Sequence, residues 1–85
     1  MSCLVCGASK TEKHHIRTRG AGGPDDEWNL LDLCRFHHQE AHKIGVITFI
    51  EKYLAVQSYI NENGWQIEEL FGRKQLKRRH QVLTE

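Results

Sequence analysis

The chain has 85 residues, of which 39% are hydrophobic and 27% charged, and its net charge is +1. That length excludes more than one domain and leaves a small core, so such a chain usually needs disulfides, a structural metal or a partner chain. Three cysteines fit a closed disulfide framework poorly, and six histidines beside them point to metal.

The opening MSCLVCG has no apolar signal region, and the longest apolar run is too short to span a bilayer. The expectation is a soluble, cytoplasmic (intracellular) protein with no membrane partner, whose thiols stay reduced and free to bind metal. Charge is unevenly spread. Residues 1–43 balance six Lys/Arg against six Asp/Glu, residues 44–72 carry −3, and residues 73–85 carry +4. In the basic segment RKQLKRRH, Arg73, Lys74, Lys77, Arg78 and Arg79 are natural candidates for phosphate contacts. The plain alternative is a solvated helix face.

Cys3-Leu-Val-Cys6-Gly7 reads as a zinc-knuckle turn. Lys13 to Arg17 reads as extended and leads into the loop Arg19-Gly-Ala-Gly-Gly-Pro-Asp-Asp. The loop lacks the GxxxxGK[ST] pattern of a nucleotide phosphate loop. Asn29 to Cys34 alternates apolar and polar residues and suits a second short strand, and from Arg35 the pattern is helical. Gly45 interrupts, and Thr48-x-x-Glu51 reads as a capping box opening a new helix. Val46, Phe49, Ile50, Tyr53, Val56 and Ile60 give that helix an apolar stripe, which Asn63-Gly64 ends. Trp65 to Phe71 and the segment from Arg73 read as one further helix, or two joined at Gly72. The outline is α+β, with two strands and a helix over 1–43 and a helical extension of the same domain over 44–85.

Cys3-x2-Cys6 and Cys34-x2-His37 form a Cys3His set separated by 27 residues. Two compact turns, each delivering two ligands, are what tetrahedral Zn2+ requires. His37 or His38 could complete the set. His37 is favoured, because His38 then shares a helix face with His42 four residues on. His14, His15, His38 and His42 remain.

In order and spacing, His14-His15-Ile16, Arg19, Gly22-Gly23, Asp25, Asn29-Leu30, Leu33-Cys34, His37-His38 and His42 resemble the HNH endonuclease signature. The resemblance covers residues 3–42. It implies a small ββα-metal (His-Me finger) domain with a structural zinc knuckle, acting on DNA with a divalent metal. His37 departs from the commoner pattern, which has a fourth cysteine, and His42 resembles the colicin-type branch. Residues 43–85 carry no family feature.

The chemistry can also be argued from the residues. Phosphodiester hydrolysis needs an activated water and a cation to stabilise charge at phosphorus. His14, His38 and His42 could hold that cation with positions left open, and imidazole suits Zn2+, Ni2+, Co2+ or Mn2+ better than Mg2+. On an extended segment His15 points opposite to His14, and an imidazole of ordinary pKa near ~6.5 can take a proton from water. The resemblance assigns the base to the same residue; swapped roles for the pair are the alternative. Asn29 occupies the family asparagine position, where that residue either fixes the loop and orients the base or helps at the metal. The orienting role, with a backbone carbonyl of the loop holding His15, is favoured because three histidines already fill a facial set. Arg19 matches the family arginine, and Arg17 and Arg35 are further phosphate candidates. Asp25, with Gly22 and Gly23, is expected to shape the loop.

Two other functions compete: a zinc-finger-like module that binds nucleic acid without cutting, and a metal-stapled protein-interaction domain. Cleavage specificity and the choice between monomer and homodimer are open at this stage.

Overall fold

The computed structural model describes residues 2–78; Arg79, a sequence candidate for phosphate contact, lies outside them. Strand β1 (Glu12–His15) is followed by two single turns of 3-10 helix at Arg19–Ala21 and Glu27–Asn29, then strand β2 (Leu30–Leu33). Three helices follow: α1 (Arg35–Ile44), α2 (Val46–Lys52) and α3 (Leu54–Glu62). Strands β3 (Trp65–Leu70) and β4 (Arg73–Arg78) complete the α+β fold. Among the described residues no helix is long and apolar enough to cross a membrane.

β1 and β2 pair antiparallel, with Glu12 opposite Leu33 and His14 opposite Leu31. Strand side chains alternate between faces, and Leu31 and Leu33 are fully buried on one of them. His14 shares that face and is buried, while His15 points to the other and is half-buried. Helix α1 packs against both strands. It buries His37 and Ala41 one turn apart, and His38 and His42, each one residue further on, form the adjacent stripe.

The core beneath is built from Ile16, Leu31, Leu33, Phe49, Ile50, Val56, Ile60 and Trp65. The expected single helix after Gly45 is two helices. α2 starts at Val46 with Gly45 as its cap, so Thr48 lies inside the helix and the Thr48–Glu51 capping box does not form. Extended backbone at Tyr53 (φ −121°, ψ 117°) ends α2 and turns the chain into α3. The bend lets Phe49 and Ile50 meet Val56 and Ile60 in the same core.

The larger correction concerns residues 65–78, expected as helix and found as an antiparallel hairpin. Trp65 and Ile67 point inward while Gln66 points out, a period of two that β3 uses to cover the core. Trp65 is buried and its Nε1–H donates to the Trp28 carbonyl at 2.7 Å. Phe71 (φ 53°) and Gly72 (φ 77°) both adopt left-handed backbone, the conformation of a two-residue hairpin turn. The extension is therefore helical only as far as Glu62.

Candidate functional site

The first Cys/His cluster joins the Cys3–Cys6 turn to the start of α1. Sγ of Cys3 lies 3.7 Å from Nδ1 of His37, Sγ of Cys34 lies 3.2 Å from it, and Sγ of Cys6 lies 3.8 Å from Sγ of Cys34. All four ligand atoms fall within 4.8 Å of one another. Ligand sulfurs about 2.3 Å from a tetrahedral Zn2+ stand about 3.8 Å apart, whereas bonded sulfurs would be about 2.05 Å apart. The cluster is consistent with a zinc knuckle. Burial pushes the Cys3 thiol up, but hydrogen bonds from the backbones of Cys34, Cys6 and Val5 outweigh it and lower the pKa to about 6. Cys6 moves the other way. Although the Ala8 backbone pulls it down, desolvation and the neighbouring Cys3 and Cys34 sulfurs push it up. Three thiols brought this close to one imidazole suit a cation that binds their ionised forms together.

The second cluster opens onto a cleft of about 360 Å³ lined by His14, His15, Arg19, His38, His42 and Val46, among others. His14, His38 and His42 each offer a nitrogen within 4.8 Å of the others'. Nε2 of His42 is 3.2 Å from Nε2 of His38, and the His14 ring centre lies 4.8 Å from that of His42. Two imidazole lone pairs at that separation repel unless a proton or cation lies between them. Nitrogens bound at about 2.0–2.1 Å to a tetrahedral ion stand about 3.3 Å apart, so the spacing fits a metal. Nδ1 of His14 is buried and has no hydrogen-bond partner among the described residues. Burial, followed by the charges of His42, His38 and His15, lowers the His14 pKa to about 4. His14 is thus neutral at physiological pH with a lone pair to offer.

Two carboxylate contacts behind the histidines escaped the sequence reading, which passed over Glu12 and gave Asp25 only a loop-shaping role. Glu12 Oε1 lies 2.7 Å from Nδ1 of His38, which leaves Nε2 of His38 facing the cluster. The signal available was alternation, since Glu12 stands two residues before His14 on the same strand face. Asp25 Oδ1 lies 2.7 Å from Nε2 of His15. The expected backbone carbonyl is therefore not the partner of His15; the acceptor is a side chain. Asp25 also accepts from Nη2 of Arg19, at 3.1 Å to Oδ2 and 3.3 Å to Oδ1. The His15 hydrogen bond, with Arg19 adding to it, holds the Asp25 carboxyl below its ordinary range.

Asn29 is fully buried and does not line the cleft. Its carboxamide accepts from the Arg17 N–H at 2.8 Å and donates to the carbonyls of Arg17 at 3.0 Å and Pro24 at 2.8 Å. This closes the glycine-rich loop back onto the end of β1. Gly23 fits the closure because a Cβ there would lie 1.8 Å from the Arg17 carbonyl oxygen.

The remaining sequence candidates are dispersed. Arg17 lies outside the cleft, its guanidinium 5.7 Å from the centre of the Trp65 ring. Arg35 is exposed at the start of α1, also outside the cleft lining. On the hairpin, Lys74 pairs with Glu51 at 2.8 Å and Lys77 lies 4.0 Å from Glu68. Arg78 stacks 3.9 Å above the Trp28 ring and donates through Nε to the Asn63 carbonyl. Arg73 is exposed beside the turn.

Residues 1–71 match the family model described as "Putative HNHc nuclease". The match spans well over half of the chain, which belongs to this HNH nuclease family. The chain is also 48% identical, over 40 residues, to a protein of Chlamydomonas moewusii named "Uncharacterized 38.5 kDa protein in psbA intron 1". That alignment covers 47% of this chain and 12% of the other, so the chain spans a small fraction of this relative's length. No solved structure matches.

Proposed function

We propose that this chain is a metal-dependent endonuclease that hydrolyses DNA phosphodiester bonds, with His15 as its general base. The observation that carries the reading is the meeting of three imidazoles from β1 and α1 in one cleft, with His15 and Arg19 in its wall. A protein that only bound nucleic acid would have no use for that set.

His14, His38 and His42 would hold a divalent cation: Mn2+, Ni2+, Co2+, Zn2+ or Mg2+. Bound there, the cation supplies Lewis-acid stabilisation of charge at phosphorus and at the departing oxygen. His14, neutral because it is buried, keeps its lone pair for that purpose. Glu12 holds His38 by Nδ1 and so presents Nε2 inward. Arg19 binds the phosphate as an always-charged donor fork. His15 takes a proton from the attacking water as the new P–O bond forms and the bond to the 3′ oxygen breaks. The 3′ oxygen acquires a proton from solvent, which leaves 3′-hydroxyl and 5′-phosphate ends. Cys3, Cys6, Cys34 and His37 hold structural Zn2+ and fix the start of α1, and Asn29 holds the loop. Arg17, Arg35, Arg73, Lys74, Lys77, Arg78 and Arg79 are the residues proposed to contact the DNA backbone.

The test is supercoiled plasmid incubated with the protein and each metal, with EDTA as control. Nicking or linearisation that needs metal, and that falls by at least about 10²-fold in His15→Ala with melting unchanged, is the expected result. DNA binding without cutting in every metal overturns it in favour of the non-catalytic module.

A further inference from the structure

Resting on the base role proposed for His15, we infer that Asp25 is its positioning residue: its carboxylate fixes the His15 tautomer, so that Nδ1 is the atom that receives water's proton. An ionised carboxylate can only accept hydrogen bonds. With Asp25 Oδ1 at 2.7 Å from Nε2 of His15, Nε2 carries the ring proton and Nδ1 is left as a bare lone pair. The same hydrogen bond is the chief reason that the Asp25 carboxyl is held below its ordinary range, which fits its role as the acceptor.

The carboxylate is in turn held in place. Arg19 donates Nη2 to both of its oxygens. Its backbone is fixed one residue earlier, where the buried Asn29 carboxamide donates to the Pro24 carbonyl at 2.8 Å. Gly23, packed against the Arg17 carbonyl, leaves no slack on the other side of Pro24. The order of control runs from Asn29 through the Pro24 carbonyl and Asp25 to the His15 ring. Asn29 therefore acts on the base through a second side chain.

Asp25 itself is exposed, and its pair with His15 contributes little to stability. Its removal should therefore change the ring without loosening the fold, which separates positioning from a structural role. The experiment uses the full metal-loaded chain as wild type, Asp25→Ala and Asp25→Glu. It reads kcat and KM on duplex DNA, thermal melting, and long-range 15N–1H spectra of the His15 ring without DNA. Asp25→Ala should lower kcat by about 10- to 100-fold, since a base in the wrong tautomer loses most of its general-base contribution. KM should stay within about 3-fold and the melting temperature should hold. The His15 spectrum should change from the Nε2–H form to a mixture, and Asp25→Glu should restore part of both signals. Wild-type kcat with an unchanged ring spectrum in Asp25→Ala overturns the inference, as does a kcat loss matched by a fall in melting temperature. A ring spectrum that shifts in Asp25→Ala, beside a His15→Ala variant that still cuts, upholds the pairing and overturns the base role.

Discussion

Residues 3–44 and the hairpin at 65–78 each contain one antiparallel pair of strands, held by different forces. β1 and β2 have four residues each, too few to stand alone; Leu31 and Leu33 reach the apolar core, and the rest of the region is gathered by the Cys3–Cys6–Cys34–His37 cluster, the three-histidine cluster and the Asn29 carboxamide. β3 and β4 have six residues each, with Trp65 seated in the apolar core and Arg78 stacked on Trp28. In the first region side chains dictate where the backbone goes. In the second, burial of Trp65 and the two-residue turn of the backbone dictate it.

The comparison breaks most directly at the knuckle. Structural zinc in small domains is worth about 10–16 kcal/mol, as much as or more than the about 5–15 kcal/mol by which whole domains are stable. Cys3→Ser should therefore abolish cooperative melting and most of the helical circular dichroism, and bound zinc should fall below one per chain. A native melt would mean that apolar packing holds both regions and that the contrast between them is false.

A finer test isolates one side chain. His14 has a folded pKa of about 4, below the ordinary 6.5, chiefly because of burial. As pH falls between those values the unfolded chain takes up the proton first, so acid removes stability that is fully present above about pH 6.5. Wild type should lose more melting temperature between pH 6.5 and 4 than His14→Gln does, because the response of the knuckle is common to both. Parallel curves would show that His14 is not held neutral by its surroundings.

The difference between the regions also explains what the sequence disclosed. The two Cys-x2 turns, the His14-His15 pair and the His38/His42 spacing were legible as candidates because residues that could share a metal recur at fixed intervals, and the structure brings Cys3, Cys6, Cys34 and His37 together and His14, His38 and His42 together. Asp25 and Glu12 were not read as partners of His15 and His38, because those contacts bridge 10 and 26 positions and exist only once the loop and α1 are in place. The hairpin was misread for a local reason. Arg73-Lys-Gln-Leu-Lys-Arg consists of good helix formers, Glu68-Glu69 interrupts the alternation begun by Trp65 and Ile67, and Phe-Gly is not the usual turn dipeptide. Burial of Trp65 against the core overrode propensity, as tertiary packing regularly does.

That turn gives the smallest of the expected effects. Phe71 has φ 53° yet is 94% exposed, so it bears the strain of left-handed backbone and gains no burial in return. A non-glycine residue there costs about 1–2 kcal/mol, and Asn tolerates the conformation better than Phe. Phe71→Asn should stabilise the domain by about 0.5–1 kcal/mol, read as a rise of roughly 2–8 °C in melting temperature for a chain of this size. Zinc content should not change, since the hairpin contributes no ligand to either cluster. If the melting temperature falls, the ring is packed in the folded chain and turn chemistry is not what limits the hairpin. If it rises while zinc binding holds, the backbone-governed region can be improved without touching the region governed by ligands.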